Sequence, residues 1–217
     1  MPRPTDPRLE DVTSASITDA MDEMFDHNAH VRDMLTPTPG RELFGPAATI
    51  RLVPVREDVY DERLHGFKRV FYEALPDPPE GHVLVLDTSG HIDHAIVGGN
   101  KATRLEANRL AGLVADGRLR DFDEIADLEI SAWCRGSSPK AGSKDLMAVG
   151  ANVPAVVGTT TIVPGDWIYA DAGGTTVIPE DHLDEVLDRA VEIEEEDEAK
   201  AHRIRDEDPE EILTEGA

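Results

Sequence analysis

One segment, Gly98 to Glu124 (GGNKATRLEANRLAGLVADGRLRDFDE), holds this chain to a mixed α/β design. Two glycines open a helix whose Ala102, Leu105 and Leu110 are apolar and whose opposite side is polar. The apolar run AGLVAD (111–116) reads as a strand, and Asp116-Gly117 turns the chain at its C-terminal end. Arg120-Asp121 follows on the loop, and Glu124 lies three residues further on. Ligands in α/β sheets bind at such strand ends. A helix N-terminus offers unpaired N–H groups and partial positive charge to an anion. Arg120 adds a planar fork matched to a carboxylate, and Asp121 is a hard oxygen donor of the kind Mg²⁺ or Mn²⁺ takes. Together these outline a site for a small anionic keto acid beside a divalent metal. The competing reading is an exposed, solvated turn pair.

The rest of the chain repeats the mixture of periods. Ile17, Ala20, Met21 and Met24 mark a helix after Ser16, with Ser16 and Asp19 spaced as a capping box. AATIRLVPV (47–55) reads as a strand ended or placed at an edge by Pro54. GFKRVFYEAL (66–75) has helical spacing, and HVLVLDT (82–88) reads as a strand buried on both faces. LEISAWC (128–134), VPAVVG (153–158), TTIV (160–163), DWIYAD (166–171) and TTVIP (175–179) make the second half strand-rich. A closing helix runs from Glu180 to about Arg203, with Leu183, Val186, Leu187, Ala190 and Val191 on one stripe and EEEDE (194–198) on a solvated face. Residues 1–205 are expected to form a single domain, and 206–217 an acidic, disordered tail. No repeat, dinucleotide fingerprint or P-loop is present.

Charge excludes several functions. Asp and Glu total 45 against 21 Lys and Arg, a formal charge of −24, spread along the chain. No basic patch offers counterions to a phosphate backbone, so nucleic acid is not an expected partner. Dispersed acid points to a cytosol rich in salt, which screens self-repulsion; the alternative is a surface for basic partners. The one cysteine, Cys134, fits a reducing cytosol. MPRPTDPRLEDVT has no apolar signal-peptide core, and no run is long enough to span a membrane. A cytoplasmic protein is expected.

GGNKATRLEANRLAGLVADGRLRD is similar to the signature of the RraA-like family, which includes regulators of ribonuclease activity, 4-hydroxy-4-methyl-2-oxoglutarate aldolases and oxaloacetate decarboxylases. SITDAMDEM (16–24), GPAATIRLV (45–53) and GDWIYADAGGTTVIP (165–179) resemble its first helix, first core strand and closing strand pair, in the same order. The resemblance implies a layered α/β/β sandwich of the swivelling phosphohistidine-domain type with a C-terminal helix. It also implies a homotrimer, or a dimer of trimers, with active sites between subunits. By the same resemblance Gly98, Gly99, Asn100 and Lys101 form a substrate loop, with the amides after Gly98 facing the substrate. Arg120 binds the substrate's carboxylate or carbonyl, and Asp121 holds the divalent cation. Glu124 and Asp116 are candidates for the outer shell of its waters.

The implied chemistry is that of a metal-dependent lyase acting on a small oxo acid, such as 4-hydroxy-4-methyl-2-oxoglutarate or oxaloacetate, and releasing pyruvate. The alternative is a non-catalytic regulator that binds and inhibits a ribonuclease or helicase. One position departs from the pattern. Gly99 stands where active aldolases of the family often carry Asp or Glu, so the base for a retro-aldol step is unassigned, whereas decarboxylation needs none. His91, Asp93 and His94 have donors but no third strong zinc ligand nearby, and fit a polar lip of the site. Cys134, inside SAWC, fits a buried hydrophobe better than a nucleophile. The loop 135–144 either closes over the site with Arg135, Lys140 or Lys144 or is ordinary surface. Lys101 could form a Schiff base only in a metal-free aldolase.

Overall fold

Strand β2, Leu43–Pro54, organises the molecule. The protein is described here by a computed structural model covering residues 6–142, 144–208 and 212–213. In chain order the elements are α1 (Ser14–Met24), β1 (His30–Val31), β2, α2 (Glu62–His65), α3 (Phe67–Ala74), β3 (Val83–Asp87), β4 (Ala95–Val97), α4 (Gly99–Ala107), β5 (Gly112–Ala115), β6 (Arg118–Leu119) and α5 (Phe122–Ala126). Then come β7 (Ser131–Cys134), β8 (Leu146–Ala151), β9 (Ala155–Val157), β10 (Thr160–Ile162), β11 (Trp167–Ala170), β12 (Thr175–Ile178) and α6 (Leu183–Arg205).

Eight strands form one curled, mixed sheet in the order β1-β12-β11-β2-β3-β5-β7, with β8 also paired to β2. β2, β3, β5 and β7 are mutually parallel neighbours, while β11 and β8 run antiparallel to β2. Side-chain alternation sorts the core. Ile50, Leu52, Leu84, Leu86, Leu113 and Ala115 face a core shared with α3, α4 and α5. Ala47, Val83, Val85 and Val114 face the opposite core, with β9, β10, Ile168 and Val177. Tyr169 and Ile178 face a third core, closed by α1 and α6 through Ile17, Met21, Leu187 and Ala190. Each fully buried Leu or Ile here stabilises by about 1.5–3 kcal/mol relative to exposure. The result is a mixed α/β fold with a curled sheet and a C-terminal helix.

Several expectations shift in detail. The capping box lies one turn earlier than the sequence reading put it. Thr13 Oγ1 accepts the Ser16 N–H (3.2 Å) and Ser16 Oγ accepts the Thr13 N–H (3.0 Å), so α1 starts at Ser14. α4 stops at Ala107, and Arg109 turns the chain with φ 57°. A 3-10 turn at Glu180–His182 precedes α6, whose buried stripe also takes in Ile193. β8 was not anticipated. In the expected tail, residues 209–211 and 214–217 lie outside the described residues. No described helix is long and apolar enough to cross a membrane.

Candidate active site

Two very short strands assemble the site. β4 and β6 pair in parallel, with Ala95 opposite Arg118 and Val97 opposite Leu119. Both end at the same level, and the Arg120 N–H donates to the Val97 carbonyl (3.0 Å). Beyond β4 the chain enters α4 at its N-cap Gly98; beyond β6 it enters α5 at its N-cap Asp121. Residues 22 positions apart are thereby brought side by side.

The contact is close enough to need glycine. A Cβ at Gly98 would lie 2.6 Å from both Arg120 Nε and Asp121 Oδ2, so the missing side chain leaves room for the charged pair. The Gly99 N–H donates to Asp121 Oδ2 (3.1 Å), and Arg120 Nε lies 3.2 Å from the same oxygen. Asp121 is itself in the left-handed region at φ 59°, ψ 43°. That conformation costs roughly 1–2 kcal/mol for most residues and less for Asp or Asn. The outer nitrogens of the Arg120 guanidinium carry no hydrogen bond among the described residues, and Arg120 lines a recess of about 190 Å³ with Gly98, Asn100 and Lys101. Its fork is available to an anion.

The backbone of the 98–101 loop differs from the expected arrangement of three substrate-facing amides. The Gly99 N–H is taken by Asp121, and the Lys101 N–H donates to the Gly98 carbonyl (3.0 Å) in the tight first turn. The Asn100 N–H is left without a partner among the described residues. The Lys101 side chain turns away. Its Nζ donates to the Ile96 carbonyl (2.6 Å) and stands 4.0 Å over the Phe67 ring. Burial, with Arg104 and Arg120 nearby, lowers its pKa to about 8.

Glu124 joins the cluster from the first turn of α5. A Cβ at Gly99 would lie 1.9 Å from Glu124 Oε2. Glu124 Oε2 thus occupies the space that the first atom of a side chain at 99 would take. Asp116 Oδ1 accepts Arg135 Nε (2.8 Å) and the Gly158 N–H (3.2 Å) in a buried pair, 5% and 10% exposed. That bond removes Arg135 as a lid residue. Lys140 pairs with Asp145 (3.1 Å), as His94 does more loosely (3.5 Å). Cys134 is buried and free, and burial pushes its thiol up, in keeping with a hydrophobic role.

No group of three or more His, Cys, Asp or Glu converges into a protein-only metal cage among the described residues. The donor set present, Asp121 Oδ1 with the Glu124 carboxylate nearby, fits a hard cation that keeps most of its waters, such as Mg²⁺.

Comparison with known proteins places the chain in a family. The family model described as "RraA-like: Aldolase/RraA" matches residues 14–177. A Burkholderia mallei (strain SAVP1) protein named "Putative 4-hydroxy-4-methyl-2-oxoglutarate aldolase" is 38% identical over 137 residues, 63% of this chain and 75% of that one. The solved structure of Streptomyces coelicolor RraAS2, titled an unusual member of the RNase ES inhibitor RraA protein family, superposes with a TM-score of 0.78. It is 27% identical, over 91% of this chain and 96% of that one. An uncharacterized protein from Pseudomonas syringae pv. tomato superposes with a TM-score of 0.76 at 25% identity, over 95% and 94% of the two chains. The chain belongs to the RraA-like family.

Proposed function

We propose that this protein is a divalent-metal-dependent lyase that cleaves or decarboxylates a small oxo acid and releases pyruvate. The observation that carries the reading is the convergence of the free Arg120 fork, the Asp121 carboxylate and the α4 N-terminus at the ends of β4 and β6. The aldolase name of the Burkholderia relative supports it.

Asp121 and, through water, Glu124 would hold Mg²⁺ or Mn²⁺, which when bound supplies Lewis acidity at the keto oxygen. Arg120 grips the oxo acid's carboxylate with two parallel hydrogen bonds and fixes the scissile bond. The Asn100 N–H and the positive end of α4 offset the negative charge that grows on the pyruvoyl fragment. Decarboxylation needs no protein base at the bond-breaking step. In retro-aldol cleavage Glu124 accepts the hydroxyl proton. The same reading includes a fold of the swivelling phosphohistidine type, assembly as a homotrimer or dimer of trimers, and a salt-rich cytoplasm.

The name of the Streptomyces relative favours a second reading, a regulator that binds a ribonuclease; it leaves the Arg120-Asp121 pair without a task. Pyruvate release from oxaloacetate and 4-hydroxy-4-methyl-2-oxoglutarate, with Mg²⁺ or Mn²⁺ in KCl, separates the two. Asp121→Asn tolerates the left-handed backbone, so it should keep stability within about 1 kcal/mol while abolishing turnover. Arg120→Lys should lose about 2–4 kcal/mol of transition-state stabilisation, because it keeps charge but not the fork. Near-normal kcat/KM in either variant, or full turnover in excess EDTA, would sink the lyase reading.

A further inference from the structure

Breaking the C–C bond of an oxo acid leaves a pyruvoyl enolate, whose carbon must take up a proton before pyruvate leaves. Glu124 accounts for the hydroxyl proton of a retro-aldol step, but nothing so far supplies this second one. Lys101 stands where a donor is needed. It lines the recess beside Arg120 and also a larger cavity of about 570 Å³ that shares Ile96 with that recess. From the first turn of α4 its side chain reaches back along β4, where Nζ donates to the Ile96 carbonyl (2.6 Å). The ammonium also lies over the Phe67 ring, 4.0 Å from its centre. An ammonium has three N–H donors, and the third has no partner among the described residues.

The surroundings leave this proton transferable. A lysine taken out of water is ordinarily held charged by a carboxylate. The sequence offers 45 carboxylates, yet none pairs with Lys101 among the described residues. A carbonyl and an aromatic face stabilise an ammonium much less than a carboxylate would. Burial, helped by the charges of Arg104 and Arg120, brings its pKa down to about 8, close to where a general acid or base works best. The other titratable groups around the larger cavity are Lys68 of α3, His65 and Glu62 of α2, Tyr60, and Lys144 before β8. The acid among them, Glu62, accepts the Tyr60 hydroxyl.

We propose that Lys101 is the proton donor to the enolate carbon of the pyruvoyl fragment. The proposal rests on the lyase reading for the source of that enolate. In decarboxylation the bond to the departing CO₂ breaks and its electron pair enters the enolate. The ammonium then gives one proton to that carbon, the C=C pair becomes the new C–H bond, and the keto C=O is restored. The neutral amine recovers its proton from water. In reverse, the neutral amine removes a proton from the methyl group of pyruvate, so the same residue exchanges those protons with solvent.

Exchange of the pyruvate methyl protons in D₂O, followed by NMR with Mg²⁺ present, tests this without C–C cleavage. Wild-type exchange should rise with pH and level off above about 8, because the neutral amine is the base. Lys101→Met keeps length and packing on Phe67 and should slow exchange about a hundredfold or more. Lys101→Cys should be as slow, and alkylation with 2-bromoethylamine, which rebuilds an amine of similar reach, should restore exchange; Cys134 is buried. Lys68→Met removes a cation from the larger cavity but not from the recess, and should exchange as the wild type does. The proposal is overturned by exchange that survives Lys101→Met, that is lost equally in Lys68→Met, or that alkylation does not restore. A wild type that releases pyruvate from oxo acids without exchanging its methyl protons overturns it too. Exchange by a wild type that releases pyruvate from no oxo acid would instead count against the lyase reading alone.

Discussion

Gly98 makes room for a charged pair, and Gly99 makes room for a carboxylate from another helix. The second point changes what substitution at 99 can do. Gly99→Asp does not simply add an acid to the site, because its Cβ must first shift the Glu124 carboxylate. Glu124→Gln is the cleaner probe. It should reduce retro-aldol cleavage by about a hundredfold, the lower range for a general base, and decarboxylation far less. Equal loss of the two activities would remove Glu124 from proton transfer.

Lys101 offers a second residue-level test, read in stability. Its folded pKa of about 8 lies below its ordinary value of 10.5. Below pH 8 both states carry the proton and this group adds no pH dependence. Between about pH 8 and 10.5 the unfolded chain binds a proton that the folded chain does not, so stability rises with pH. The gain, measured by denaturant unfolding against Lys101→Met to cancel other groups, should be on the order of 3 kcal/mol. A flat difference would mean that Lys101 is solvated.

At the scale of elements, legibility followed burial and length. HVLVLDT and AGLVAD announced β3 and β5 because parallel strands covered on both faces are continuously apolar. β4 and β6, at three and two residues, are too short to show any period. They are nevertheless what joins Gly98 to Asp121, so only the resemblance, and not residue patterning, could connect the two halves of the site. β8 was hidden because LMAVGA alternates poorly and follows a Gly- and Ser-rich loop; its pairing with β2 is a tertiary effect. The α1 start was misread by one turn because Ser16 satisfies a capping pattern in either frame. Thr13→Ala removes the true cap and should cost about 1 kcal/mol, read as a shift in the denaturant midpoint. Asp19→Ala, the partner in the rejected frame, should cost much less.

For the whole molecule, charge dominates. A formal −24 over 217 residues is managed in places by arginine hubs. Arg189 holds Glu23, Glu192 and Glu196, and Arg8 holds Asp6, Asp184 and Asp188. Such exposed networks offset little of the total repulsion. If the protein belongs to a salt-rich cytoplasm, KCl should raise its melting temperature until screening saturates near molar salt, where the Debye length is about 3 Å. Relief of about 2–3 kcal/mol would appear as roughly 5–10 °C for a chain of this size. An unchanged melting temperature from low to molar KCl would count against that proposal and in favour of an acidic surface kept for basic partners.

The long strand β2 has a consequence for how this molecule opens. β11 and β8 lie end to end along one of its edges while β3 occupies the other, with Ile50 and Arg51 bonded on both sides at once. Fraying at the sheet's periphery does not free those amides, because β3 or β8 must first part from the middle of β2. Proton exchange with solvent at Ile50 and Arg51 therefore reports the global unfolding free energy, whereas the two-residue β6, bearing the loop that carries the chemistry, can fray without disturbing that central ladder.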